Sequence, residues 1–361
     1  MRVDPPPALS TLTTLGLGGP PSELFRASTE HELIEALRAY PDAVVVGGGS
    51  NLVVADEGLS VPVVQIATRG FSFRRDGDHI ACAVESGEPW DDFVAEAVRE
   101  GAAGVEALSG IPGLVGATPV QNVGAYGQEV ADTLESVTVW DRELGAMRTL
   151  AARECRFGYR SSLFRGESRY VVVRVTFRFT RSHEARVPSY AELRDALGVV
   201  DPDTRVPLVE LRDMVIALRR KKGMVTDPQD PDSRSAGSFF TNALLGEDEL
   251  AQVREKVEAR LGAGVSLPTF ADASGKTKVS AAWLIERAGF SKGYGEGQVG
   301  ISRKHTLALV NRGAGTTREL LALADEVRRG VFAAFGVTLE PEPIVLGTRV
   351  PWQAQVGTNL E

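Results

Sequence analysis

The sequence predicts a mixed α+β fold (α/β mixed), and three observations along its 361 residues predict it. Residues up to about 66 alternate short Val-rich strands with a capped helix. From 67 to 206 strands dominate, with apolar residues at a period of two. From 207 onward the apolar spacing lengthens to three and four residues, the pattern of amphipathic helices. Apolar residues make up 43% and charged residues 24%, so a substantial core can form and wholesale disorder is excluded. At about 150 residues per domain the length suits two to three domains, and the changes of period set boundaries at 1–66, 67–206 and 207–337.

Residues 23–28 read as a strand. Thr29 and Glu32 then form a capping box for a helix through Tyr40: the hydroxyl takes the amide of Glu32 while the carboxylate reaches back. Val-rich strands at 43–46 and 52–55 flank Gly47-Gly48-Gly49-Ser50-Asn51. Trp90, Phe93, Val94, Ala97 and Val98 line one face of a helix closed by Gly101. Between 170 and 179, Val171, Val173, Val175, Phe177 and Phe179 alternate with Val172, Arg174, Thr176 and Arg178, which predicts a half-buried antiparallel strand. Leu208, Leu211, Val215 and Leu218 make one helical stripe; Leu250, Val253, Val257 and Leu261 make another, ended by Gly262. Further helices are expected at 281–288 and 317–335, and a strand within 304–311. The stretch 226–237, dense in Asp, Pro, Ser and Gly, reads as a flexible loop.

Charge and cysteine content narrow the function. Acidic residues outnumber basic ones 48 to 40, a formal net charge of -8, so nothing steers the chain to a phosphate backbone or an anionic membrane. The two cysteines, Cys82 and Cys155, form no CxxC pair, which excludes a disulfide framework and a cysteine-rich metal site. His31, His79, His183 and His305 lie far apart without HExxH spacing, so no metal site is expected. The N-terminus lacks an apolar signal core and no run of about 18 apolar residues occurs. The expectation is a soluble cytoplasmic protein with neither nucleic-acid nor membrane partners.

Glycine is in surplus: 38 residues, against roughly 25 for average usage. Backbone amides in a glycine turn can approach an anion closely, because no Cβ intervenes. Gly47–Asn51 is such a turn or a plain hairpin; it lacks the Lys-Ser/Thr of a P-loop and the long helix of a dinucleotide loop. The GxGxxG at 295–300 follows a helix and precedes a strand, the reverse of the dinucleotide motif. Residues 109–128 hold a long neutral glycine-rich loop, either a buried connection or a backbone cradle for a large phosphate-bearing cofactor. Two separated glycine loops together favour the cofactor. Three polar residues stand out: Arg160 in RFGYRSSLF, Ser238 in AGSFFTN and Glu342 in LEPEPIVLG. Taken singly they read as a surface charge, a turn serine and an exposed segment between prolines.

The blocks VVGGGSNLVVAD, SGIPGLVGATPVQNVGAYGQE, FGYRSSLF, GSFFTN and LEPEPIVLG, in that order from about Leu9 to Gly347, resemble the family of UDP-N-acetylenolpyruvoylglucosamine reductases. The resemblance implies an FAD-binding fold of the vanillyl-alcohol-oxidase/PCMH type. It would have two subdomains, 1–66 and 67–206, and a C-terminal α+β substrate-binding domain at 207–337, with 338–361 packing back near the site. It implies non-covalent FAD, NADPH as co-substrate, UDP-GlcNAc-enolpyruvate as substrate and a monomer. Hydride would pass from NADPH through the flavin to the enolpyruvyl CH2 carbon, giving UDP-N-acetylmuramate for peptidoglycan synthesis. An FAD-dependent alcohol or sugar oxidase of the same superfamily is the alternative.

The resemblance also assigns roles. Gly47, Gly48, Gly49, Ser50 and Asn51 would hold the pyrophosphate; Ser109, Gly110, Ile111, Gly116, Asn122, Gly124 and Ala125 would line the rest of the flavin. Arg160 and a protonated Glu342 would stabilise the substrate carboxylate as charge builds beside it, and Ser238 would protonate the α-carbon. Tyr190 matches the substrate tyrosine of the Tyr-loop subtype. Lys222, Asn242 and Lys278 match diphosphate and substrate contacts, with Lys221 and Lys222 not separable. Pro343 and Ile344 follow the glutamate where the family often has Val-Arg, and Thr241 and Ala243 replace a common Lys and Pro around Asn242.

Overall fold

In the computed structural model, which describes residues 1–350, the long alternating strand spans Tyr170–Arg181. It is the middle of an antiparallel sheet ordered Ala146–Ala151, Leu134–Asp141, Tyr170–Arg181, His79–Glu85, Phe71–Asp76, and Ala102–Ala103 also pairs with it. The expected alternation holds from Val175 on, but Val172 is buried too. The register slips where Thr138 faces Arg174 while Val139 faces Val172, so Val173 is an extra residue. Such a bulge resets which face a side chain meets. Val171 and Val173 therefore enter one core, and Val172, Val175, Phe177 and Phe179 sit in another.

These elements belong to the first of two units, formed by Met1–Pro7, Pro21–Gly49 and Ser60–Val225. Its smaller sheet runs Arg2–Val3, Leu24–Ala27, Val63–Ile66, Val44–Val46, parallel beyond the first pair. Helix α1, Glu30–Ala39, starts at the anticipated cap: Thr29 accepts the Glu32 N–H at 3.1 Å and Glu32 accepts the Ser28 N–H at 2.7 Å. Helix α2, Trp90–Glu100, buries all five residues of its forecast face against the large sheet, with Phe93 and Phe177 ring centroids 5.4 Å apart. Gly101 ends it at φ 71°. Helices α3, Ala191–Leu197, and α4, Leu208–Lys221, close a small core around Leu193, Leu211 and Val215.

The second unit takes Ala8–Pro20, Ser50–Leu59 and the chain from Thr226. Helices α5, Glu247–Leu261, α6, Ala281–Arg287, and α7, Thr317–Phe335, surround its core with three small sheets. Within 304–311 only Leu309–Asn311 is strand. The stretch 226–237, expected to be flexible, is instead pinned down. Asp232, Ser233 and Ser235 are buried; Asp232 accepts the Arg303 N–H at 2.9 Å, Lys304 reaches Asp230 at 2.7 Å, and Thr14 donates to the Ser235 carbonyl at 2.6 Å. Its polar residues close turns onto fixed partners, which composition alone cannot distinguish from solvation. The GxGxxG segment leads into the strand Val299–Ile301 and wraps Arg312, whose guanidinium donates to the carbonyls of Gly293, Gly295 and Gly297.

Candidate active site

In the first unit the two glycine-rich loops meet. A Cβ on Gly48 would stand 3.1 Å from the Gly113 Cα, and one on Gly47 would stand 3.4 Å from the Leu114 side chain. Gly49, Gly110 and Gly113 have φ of 60°, 72° and 123°, positions that favour glycine. The second loop is fixed along the segment before α2: the Trp90, Val115 and Gly116 amides donate to the Gly113, Glu88 and Ser86 carbonyls. Gly116 has no room for a side chain, since a Cβ would lie 2.3 Å from that of Ser86. Ser109 is fully buried and donates to the Glu106 carbonyl at 2.6 Å. The Gly110 amide donates to Asp91 Oδ1 at 2.6 Å. Asp91 also takes a two-pronged bond from Arg212 at 2.6 and 3.0 Å. Burial pushes its carboxyl pKa up, but Arg212 and the Gly110 amide outweigh that and hold it below the usual range. Ile111 packs on the α2 core, and Gly124 and Ala125 pair with Glu129 and Gln128.

Arg160 sits in a tight turn closed by the Gly158 and Ser161 amides, each donating to the other's carbonyl at 3.0 and 3.2 Å. Its φ is 50°, a left-handed conformation rare for arginine, and its Nη2 donates to the Gly124 carbonyl at 2.7 Å. Tyr190 caps α3 and meets Tyr126 edge-to-face at 5.1 Å. The Lys222 ammonium lies 5.4 Å from the Tyr126 ring centre and pairs with Glu192, whereas Lys221 is exposed. Arg219 adds a guanidinium whose Nε finds no partner among the described residues; burial pulls its pKa down to about 10.

In the second unit the serine and glutamate blocks lie side by side. The Glu342 amide donates to the Phe239 carbonyl at 2.9 Å, and the Thr241 amide to that of Glu340 at 3.0 Å. Phe239 and Phe240 are buried, so the two aromatic residues after Ser238 anchor its turn in the core. Asn51 joins this edge: its side chain donates to the Glu342 carbonyl at 3.3 Å, and its carbonyl accepts the Ile344 amide at 2.9 Å. Pro343 costs no ladder bond, because parallel pairing with Leu52–Val54 begins at Ile344. Asn242 accepts the Ala281 N–H at the start of α6. Lys278 pairs with Asp272 at 2.9 Å. Gly47–Gly49, Arg160, Tyr190 and Lys222 thus belong to one unit, and Ser50, Asn51, Ser238, Asn242, Lys278 and Glu342 to the other.

Comparison with known proteins gives these groupings a family. Residues 21–151 match the model of an FAD binding domain, and 228–346 match the C-terminal domain of UDP-N-acetylenolpyruvoylglucosamine reductase. The chain is 54% identical over 344 residues to the UDP-N-acetylenolpyruvoylglucosamine reductase of Thermobifida fusca, covering 94% of this chain and 96% of that one. The chain belongs to this reductase family. The Streptomyces coelicolor reductase is 52% identical, covering 94% of this chain and 89% of the relative. The crystal structure of the Thermus caldophilus reductase superposes with a TM-score of 0.62 at 27% identity, covering 96% of this chain and 98% of that one. As a member of the UDP-N-acetylenolpyruvoylglucosamine reductase family the protein is an FAD-dependent oxidoreductase, and its mixed α+β class agrees with the sequence reading.

The residues present suit a flavin. Side chains at Gly47 and Gly48 would press on Leu114 and Gly113, so this turn keeps its backbone bare, as close approach of backbone amides to a pyrophosphate requires. No helix among the described residues is long and apolar enough to cross a membrane. Both thiols are buried, which pushes Cys82 up to about 12 and Cys155 to about 11, far from reactive. Sequence reasoning did not single out Tyr126, which meets Tyr190 and Lys222, or Arg219, whose Nε is buried. Tyr126 is the one aromatic residue inside the neutral loop, and Arg219 lies in the basic run RRKK.

Proposed function

We propose that the protein uses NADPH to reduce the enolpyruvyl ether of UDP-N-acetylglucosamine to UDP-N-acetylmuramate, a cytoplasmic step toward peptidoglycan, as a monomer of the Tyr-loop subtype with non-covalent FAD. Residues 1–66 and 67–206 act as flavin-binding subdomains and 207–337 as the substrate-binding part. The observation that carries this reading is the pairing of the Ser238 and Glu342 blocks through the Glu342 amide and the Phe239 carbonyl, in a chain so similar to named reductases.

When bound, FAD supplies hydride transfer between NADPH and the vinyl CH2 carbon. The protein's task is the charge that then develops on the α-carbon and spreads into the carboxylate. The Arg160 guanidinium holds that carboxylate from a turn already fixed against the Gly124 carbonyl, so little reorganisation is needed. Glu342 donates to the same carboxylate in its protonated form. Ser238, held by two buried phenylalanines, delivers its hydroxyl proton to the α-carbon and recovers one from solvent. Tyr190 and Lys222 bind the anionic diphosphate, assisted by Asn242 and Lys278. Gly47–Asn51 would hold the pyrophosphate of FAD.

The test is to bleach the purified flavoprotein with NADPH without oxygen, then add the enolpyruvyl substrate. The expected result is prompt return of flavin colour with formation of UDP-N-acetylmuramate. Persistent bleaching after the substrate is added would overturn the reading; a flavin that NADPH does not bleach, but whose reduced form reacts fast with oxygen, would favour an oxidase.

A further inference from the structure

Asn122 is 1% exposed and its carboxamide is engaged inside the protein. Nδ2 donates to Glu129 Oε2 at 2.7 Å and to the Gly158 carbonyl at 3.2 Å, and Oδ1 accepts the Ala131 N–H at 3.0 Å. Gly158 opens the turn that carries Arg160. Two more bonds run between the same segments: Ser162 Oγ to the Val120 carbonyl at 2.6 Å, and Arg160 Nη2 to the Gly124 carbonyl at 2.7 Å. Arg165 holds the Arg160 carbonyl from the other side. Both Asn122 and Arg160 are left-handed, with φ of 46° and 50°. Strain of this kind persists only where the surroundings over-determine it.

We propose that Asn122 is a positioning residue: with Ser162 it straps the Arg160 turn to the 120–124 segment of the glycine-rich loop and so sets the pose of the guanidinium. This rests on the reading that Arg160 holds the substrate carboxylate. Asparagine suits the post because it tolerates φ above zero while offering two donors.

The informative variant is Asn122→Gly, which keeps the left-handed backbone and deletes the amide. Displacing a catalytic group by about 1 Å can cost about 10²-fold, so substrate-driven flavin reoxidation is expected to slow by about 10- to 10²-fold. Flavin reduction by NADPH, measured with the flavin site saturated, should slow far less than substrate-driven reoxidation. In an Arg160→Ala background the same substitution should add nothing further, because its partner is gone. An equal slowing in both backgrounds overturns the proposal, as does weakened flavin binding with normal reoxidation once flavin is saturating. If Arg160→Ala alone leaves reoxidation unchanged, the reading of Arg160 fails instead, and visibly so. Should Asn122→Gly not fold, Ser162→Ala carries the test. It should slow the same half-reaction, and only while Arg160 is present; an unaltered rate would remove the strap.

Discussion

On the proposed mechanism, Ser238 needs little intrinsic acidity because its turn is held in place. Its neighbours Phe239 and Phe240 are buried, and the Phe239 carbonyl is bonded to the Glu342 amide, so the backbone of its turn is held by the core. A serine is a poor acid in water, and orientation toward a developing carbanion compensates. Ser238→Ala is expected to leave flavin reduction by NADPH intact and to slow reoxidation by substrate by about 10²- to 10⁴-fold, the usual contribution of a positioned proton donor. Stopped-flow absorbance of each half-reaction checks this, and equal losses in both would remove the serine from its role. Motif order singled out Ser238, Arg160 and Glu342, since their types suit carboxylate binding and protonation. It gave no hint of the left-handed backbone at Arg160, Asn122 and Tyr126, because φ is decided by neighbours that sequence order does not reveal.

At the scale of elements, glycine in the cofactor loop is a packing requirement as much as a binding one. Gly116 lies so close to Ser86 that Ala at that position must displace the segment before α2. Overpacking of this kind costs about 1–3 kcal/mol, so Gly116→Ala is expected to lower the urea midpoint and weaken flavin binding together. A stable variant with loose flavin would separate the two effects. At the end of the Leu134–Asp141 strand, Asp141 receives Arg169 in a two-pronged bond at 3.0 and 2.7 Å, and also the Leu144 amide and Arg148. Arg169 foremost, despite opposing burial, draws its pKa down to about 2. A depressed carboxyl contributes stability that is complete above about 3.9, the ordinary value, and is lost as pH falls through about 2. Asp141→Asn is expected to flatten the stability curve in that window, measured by urea unfolding from pH 5 downward; an unchanged slope would contradict it. The helices were legible because their stripes and caps are local: Thr29 with Glu32 and the five-residue face of α2 stand where the spacing set them. The bulge at Val173 was not, since Val171, Val172 and Val173 are all valine and only the partner strand's register reveals the extra residue. The 226–237 stretch misled for a related reason: its anchors, Thr14, Arg303 and Lys304, lie far away in sequence.

For the whole molecule, the chain's route matters more than its length. Each unit is assembled from three segments, and one of the five changes between them falls inside the glycine turn, between Gly49 and Ser50. The second unit therefore cannot be cut out as the piece after Val225. Its core includes Leu15, Leu17 and Val53 from the two early segments. The strand Ile344–Leu346 pairs with Leu52–Val54, Thr317 donates to the Val54 carbonyl and to Asp56, and Asn311 donates to the Leu15 carbonyl at 2.9 Å. Removing three buried aliphatic side chains forfeits about 1.5–3 kcal/mol each, before the unpaired strand and orphaned polar groups are counted, against a total domain stability of about 5–15 kcal/mol. A fragment of residues 226–361 is accordingly expected to lack a cooperative urea transition. Adding Ala8–Leu59 on the same chain should restore one, because it returns the missing strand and core residues. Far-UV circular dichroism across a urea series decides the matter. A cooperative transition in the short fragment would mean that the early segments decorate this unit instead of completing it.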